Sequence, residues 1–160
     1  VRDSKTNMPR YIGGFNAYFT YKQFDRSMLF QGAAGSIVYL GVESGDIGNF
    51  YKSFADKRWT PENTGATYPR AWNRDNEYWR NQGNTFWEFP TDYIRLKNIE
   101  FGYTLPANVN NALGIQKLRI YASGLNLLTV DKIKLIDPEL DSGQSYPLQR
   151  VVNLGVTLTF

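Results

Sequence analysis

Apolar and polar side chains alternate with a period of two at both ends of this sequence and again between 98 and 128. From Tyr11 to Lys22, Phe15, Ala17, Phe19 and Tyr21 share one face, while Asn16, Tyr18 and Thr20 take the other. This alternation predicts a strand. Ser27–Leu40 reads as its return partner, kept small in the middle by Gly32, Ala33, Ala34 and Gly35, with Lys22–Arg26 as the short polar connection. After Pro90, Ile99, Phe101, Tyr103 and Leu105 alternate with Asn98, Glu100, Gly102 and Thr104, and Pro106 ends that strand. Leu118, Ile120 and Ala122 alternate with Arg119, Tyr121 and Ser123 in a strand running to about Leu128, after a turn segment at Ala107–Gln116. Finally Val152, Leu154, Val156, Leu158 and Phe160 alternate with Asn153, Gly155, Thr157 and Thr159.

Two long stretches interrupt this pattern. In 41–90, Asp46 is placed to cap a short helix that carries Phe50 and Phe54 at i, i+4 and ends near Arg58. Pro, Gly and Asn then punctuate Trp59–Arg70 too heavily for regular structure. All four tryptophans (Trp59, Trp72, Trp79, Trp87) fall in 41–90, a loop length that is usually functional or disordered. The tryptophans argue against disorder. Packing of the loop is their plainer role. Trp72 and Trp79, beside Arg74, Asp75 and Arg80, are the candidates for substrate or partner contact. The second stretch, Lys132–Tyr146, reads as a polar loop. Within it Asp137, Glu139 and Asp141 offer oxygens to a hard cation, but the glycine turn and bidentate spacing of a calcium loop are missing, so an acidic turn is expected and no metal.

Composition removes several chemistries. The 160 residues contain no Cys and no His, which excludes disulfides, thiolate sites, HExxH zinc sites and histidine-based acid–base catalysis. With no nucleophile elbow and no phosphate loop either, neither an enzyme nor a cofactor is expected. The +3 charge is spread along the chain, without the basic patch of a nucleic-acid binder. Mean hydropathy is −0.45, and no apolar run is long enough for a transmembrane helix. Val1–Lys5 has no signal-peptide character, so the expectation is a chain whose leader was removed or whose start lies inside a longer protein.

Two-faced strands suit either a soluble β-sandwich, a glycan-binding module for instance, or a membrane barrel whose apolar face meets lipid. Three details favour the barrel. Tyr21, Tyr103 and Phe160 end apolar faces as interface aromatics do, connections alternate short and long, and the last strand runs to Phe160. Five strands cannot close a barrel, and lipid does not tolerate open edges, so the outer strands would need other polypeptide to pair with.

Several segments, in order, resemble one family. Arg58–Asn63 followed by Tyr68-Pro69-Arg70 resembles the RWTPEN…YPR loop of SusC/RagA-type TonB-dependent outer-membrane transporters. Tyr93–Pro106 resembles their YLRLKNIxLGYTLP strand, and Leu118–Tyr121 with Gly124–Thr129 their LRIYxxGxNLxT strand, Leu125 departing from a usually polar position. Tyr18–Gly35, Asp137-Pro138-Glu139, Tyr146-Pro147 and the Phe160 end follow the family's order. The resemblance implies an all-β fold: antiparallel strands forming the C-terminal arc of a large barrel of about 22 strands, with long extracellular loops containing a short helix. By the same resemblance, 1–160 is the C-terminal barrel segment, without plug or N-terminal strands, of a Gram-negative, Bacteroidota-type importer. A passive porin is the other membrane alternative.

The implied partners are the rest of the barrel and plug, a SusD-like surface lipoprotein lid, TonB with ExbB and ExbD acting through the missing N-terminal region, and outer-membrane lipid. The implied cargo is oligosaccharide or oligopeptide. Val152, Leu154, Val156, Leu158 and Phe160 would form an assembly signal, read by strand addition. Asn98, Glu100, Arg119 and Tyr121 would face the lumen, with Glu100 and Arg119 able to pair across adjacent strands.

Overall fold

The computed structural model describes residues 6–40, 52–70, 85–141 and 145–160. One antiparallel sheet dominates, built from β1 (Tyr11–Tyr21), β2 (Phe24–Ala34), β5 (Tyr93–Thr104), β6 (Lys117–Asp131) and β7 (Val151–Thr159), in the order β1-β2-β5-β6-β7. A small ribbon pairs β3 (Ile37–Tyr39) with β4 (Glu88–Pro90). Helix α1 (Lys52–Lys57) lies in the long loop, and α2 (Ala107–Ala112) in the β5–β6 connection. Among the described residues no helix is long and apolar enough to cross a membrane.

All five predicted strands are present, with corrected limits. The β1–β2 turn is only Lys22-Gln23, with Lys22 in the left-handed region at φ 54°, so Phe24, Asp25 and Arg26 belong to the strand rather than to a polar connection. The expected strand Ser27–Leu40 is two elements. Gly35, at φ +85°, breaks it, and its N–H donates to Asp92 Oδ1 at 2.8 Å, which turns Ile37–Tyr39 away to pair with Pro90–Glu88. β5 begins at Tyr93, well before the alternation becomes visible. Its register slips at Lys97 against β2 and again against β6, where Asn126 takes a φ of 53°. This bulge reverses the parity of the strand, so Ile94 and Leu96 share a face with Ile99, Phe101 and Tyr103. β6 continues to Asp131, three residues past the expected end. The predicted helix is confirmed from Lys52 to Lys57, while Asp46 and Phe50 lie outside the described residues.

The sheet has one bare apolar face. Phe15, Phe19, Tyr21, Phe24, Ile94, Phe101, Ile120, Leu128, Val130, Val152, Leu154 and Val156 are all exposed, Leu154 to 83%. A soluble sandwich would bury this face against a second sheet. The only other sheet among the described residues is the β3–β4 ribbon of two three-residue strands. The main strands are 9 to 15 residues long, against the roughly 9–11 residues a tilted strand needs to cross a bilayer. All short connections lie at one end of the sheet and the long ones at the other. Tyr21, Phe24 and Tyr103 share a row at the short-connection end, with Phe24 and Tyr103 ring centroids 4.8 Å apart.

The buried apolar cluster sits in the long connections rather than under the sheet. Val38, Leu40, Phe54, Trp87 and Ile133 form it, with Tyr68, Phe89, Leu135 and Ile136 packed against it. Lys132–Tyr146 is therefore not simply a polar loop, because Ile133, Leu135 and Ile136 carry it into this core.

Candidate functional site

Across the sheet from the bare apolar face lies a polar face with two charge clusters. The first sits near the short-connection end. Thr20, Asp25, Gly102, Tyr121 and Gly155 form one row across all five strands. Arg119 extends over Gly102, where a Cβ would collide with its guanidinium. From there Nε donates to Asp25 Oδ1 at 3.0 Å and Nη2 to Glu100 Oε1 at 2.7 Å, with a further Nη2 bond to Asp25 Oδ2. The Tyr121 ring lies over Gly155 in the same manner, and the Arg119 guanidinium carbon is 5.1 Å from its centroid. Two glycines thus let two long side chains lie flat on the wall. The predicted Glu100–Arg119 pair is present, and Asp25 joins it.

The second cluster ties the 132–141 segment to the wall. Arg95, only 1% exposed, donates from Nη2 to Asp137 Oδ1 at 2.6 Å, while Nη1 makes an ion-pair contact of 2.8 Å with Glu139 Oε2 outside hydrogen-bonding geometry. Glu139 also accepts from Lys97 Nζ at 3.0 and 3.1 Å and from the Tyr93 hydroxyl at 2.8 Å. The Lys97 bulge is what keeps Tyr93 and Arg95 on the same face as Asn98 and Glu100. Asp137 and Glu139 thus act as counter-ions to wall cations. Among the described residues no group of three or more acidic, His or Cys side chains is arranged to hold a metal.

Above the wall, the Arg58–Arg70 motif folds into a compact clip. The Trp59 N–H donates to the Tyr68 carbonyl at 2.8 Å, and the Tyr68 N–H to the Lys57 carbonyl at 3.1 Å. Tyr68 stacks on Trp87 and packs on Phe54, 6.3 and 4.4 Å between centroids. Trp87 is therefore a core residue, whereas Trp59 is partly exposed beside a cavity of about 530 Å³ shared with Pro69, Arg70 and Phe86.

The candidates fall as follows. Asn98, Glu100, Arg119 and Tyr121 lie together on the polar face, and so does Leu125, opposite Asn98. Val152, Leu154, Val156 and Leu158 lie on the apolar face, with exposed Phe160 following the end of β7. Trp72, Arg74, Trp79 and Arg80 lie outside the described residues. Asp25, Arg95 and Lys97 were not singled out from sequence. Asp25 is 94 residues from Arg119, and no local pattern announces such a pair. The Tyr93-Arg95-Lys97 alternation was a usable signal, hidden by the parity reversal.

No family model matches the chain. It is 33% identical over 172 aligned positions to TonB-dependent receptor P3 of Formosa agariphila, an alignment covering 95% of this chain and 16% of that protein. For TonB-dependent receptor P26 of the same organism the identity is 32%, with coverage of 96% and 17%. The chain thus spans about a sixth of the length of these relatives. Among solved structures, the RagAB peptide importer in its open-open state superposes with a TM-score of 0.77 at 25% identity, over 99% of this chain and 18% of that one. The RagAB peptide transporter gives 0.76 at 23%, over 100% and 18%. The open five-stranded sheet matches an arc of the RagA barrel. Sequence and fold agree: the chain matches TonB-dependent receptors in sequence and the RagAB importer in fold, and corresponds to a C-terminal portion of a SusC/RagA-type receptor.

Proposed function

We propose that this segment supplies wall and outer loops to an active importer of oligosaccharides or oligopeptides in the outer membrane of a Gram-negative, Bacteroidota-type cell. In this reading a SusD-like lipoprotein closes over the long connections, and TonB with ExbB and ExbD acts through a plug in the remainder of the protein. One observation carries the reading. Strands of spanning length hold an exposed apolar face and, opposite it, a polar face on which Arg119 is paired with Asp25 and Glu100. Hydrocarbon is the solvent that such an apolar face matches, and a hydrated lumen the one that suits Asn98, Glu100, Arg119 and Tyr121. The RagAB structures, described as a peptide importer, support the cargo class and the two-component assembly by analogy.

Deleting the gene for the full-length protein tests this directly. Growth on oligopeptide or oligosaccharide as sole nutrient is expected to fail for one of the two, and a surface lipoprotein is expected to co-purify with the intact transporter. Unchanged growth on both would overturn the importer reading. Alanine at Trp72 or Trp79 separates cargo contact from loop packing, since only the former lowers uptake at constant protein level.

The strand Val152–Phe160 is proposed as the assembly signal, offered to the insertion machinery by edge pairing. Removing Phe160 is then expected to lower the outer-membrane level of the full-length protein several-fold. Normal surface levels would leave Phe160 as an interface anchor only.

A further inference from the structure

The apolar face is interrupted by one charge. Along the row Phe19–Arg26–Phe101–Ala122–Leu154, Arg26 stands among side chains that otherwise face hydrocarbon. Among the described residues of β1, β2, β5, β6 and β7, it is the only charged side chain on that face. The nearest carboxylates along the strands, Asp25 and Glu100, are on the opposite face and held by Arg119. The Arg26 guanidinium rests on the Phe101 ring, 4.7 Å from its centroid. Among the described residues its Nη2 reaches only the Met28 sulfur, at 4.0 Å, and its buried Nε has no hydrogen-bond partner. An arginine on a lipid-facing surface is costly unless it reaches the interface or finds an anion.

Its level in the sheet says which anion. Arg26 is one face-row from the Tyr21–Phe24–Tyr103 aromatic row, about 5 Å along the membrane normal for a strand tilted by about 40°. Lys22, in the two-residue turn beyond that row, holds its Nζ 5.3 Å over the Tyr21 ring. Because Tyr21 belongs to the apolar face, Lys22 leans to the lipid side as well. Two cations therefore bracket an aromatic row at the headgroup level of the short-turn leaflet, with no acid beside them on that face. The planar guanidinium can offer two parallel N–H groups to a phosphate diester.

We propose that Lys22 and Arg26 form a binding site for the phosphate of an anionic phospholipid in the leaflet on the short-turn side of the membrane. This rests on the barrel reading above. An anionic headgroup suits the site because it brings no ammonium of its own to compete for the phosphate.

The test uses the full-length transporter, reconstituted in discs of equal parts phosphatidylglycerol and phosphatidylcholine, with retained lipids counted by native mass spectrometry as detergent strips the annulus. Wild type is expected to keep phosphatidylglycerol preferentially. Arg26→Leu should lower that retention roughly fivefold, and the double variant with Lys22→Gln further, in line with the usual strength of one basic side chain at a membrane surface. Arg26→Leu adds apolar surface to a lipid-facing site, so the heat-dependent gel shift of the folded barrel should persist. Lys52→Gln, on α1, should change nothing. Equal phosphatidylglycerol retention by wild type and Arg26→Leu would overturn the proposal and leave the barrel reading intact. So would a parallel loss of both lipids. A protein that stays monodisperse without detergent and retains no lipid would instead overturn the barrel reading itself.

Discussion

The wall and its outer loops solve opposite solvent problems. The loops carry an ordinary core, with Val38, Leu40, Phe54, Trp87 and Ile133 almost sealed from solvent. The wall is inverted, with large side chains such as Leu154 and Phe15 bare and its ion-pair clusters on the polar side. One chain therefore mixes a part that gains stability from excluding water with a part whose apolar area gains nothing until lipid surrounds it. The acidic strap at Asp137–Glu139 joins them, since Ile133, Leu135 and Ile136 enter the loop core while Asp137 and Glu139 grip Arg95 on the wall.

The sharpest way to break this division is Trp87→Ala. Truncating a large buried aromatic costs about 3–5 kcal/mol. The cost should fall on the loops alone, so external protease should cut the outer segments of the full-length receptor while the heat-dependent gel shift of its barrel stays unchanged. Loss of the gel shift would mean that the wall depends on the loop core. A smaller effect separates the two faces of β7. Val152→Lys places a charge on the apolar face, at a cost of about 2–4 kcal/mol near the bilayer midplane. Asn153→Lys, one residue away on the polar face, should be close to neutral. Outer-membrane levels of the two variants read the difference, and equal levels would contradict the assignment of faces. The smallest expected effect is Gly102→Ala. Its methyl would displace the Arg119 guanidinium from between Asp25 and Glu100, leaving two acids uncompensated at about 1–2 kcal/mol. Arg119→Met measured in the Gly102→Ala background should then add less than it does alone, a non-additivity that a denaturant series on refolded barrels can read.

These contrasts also explain what the sequence reveals. β1 and β7 keep one parity throughout, so their faces could be read directly. The first half of β5 could not, because the bulge at Lys97 shifts the pattern by one and puts the Tyr93–Lys97 alternation out of phase with the rest of the strand. Residues 132–136 looked polar because Lys132 and Lys134 alternate with the buried Ile133, and only the folded loop shows where Ile133 goes. Glu100 and Arg119 were legible because neighbouring strands with known faces suggest a cross-strand pair. Asp25 was not, since Lys22–Arg26 has the polar character of a turn. Arg26 was hidden for the same reason, as a cation at a turn is unremarkable and becomes informative only once the register sets it among phenylalanines.

The bulge at Lys97 and Asn126 has one more consequence. Below it the reading frame of inside and outside is set by odd residues of β5, above it by even ones. Pairing Lys97 regularly, with no bulge to absorb it, would act as a frameshift of orientation. Tyr93 and Arg95 would swing toward the acyl chains, and Ile94 would move into the aqueous bore. The strap would lose its anchor without any of its own residues being altered.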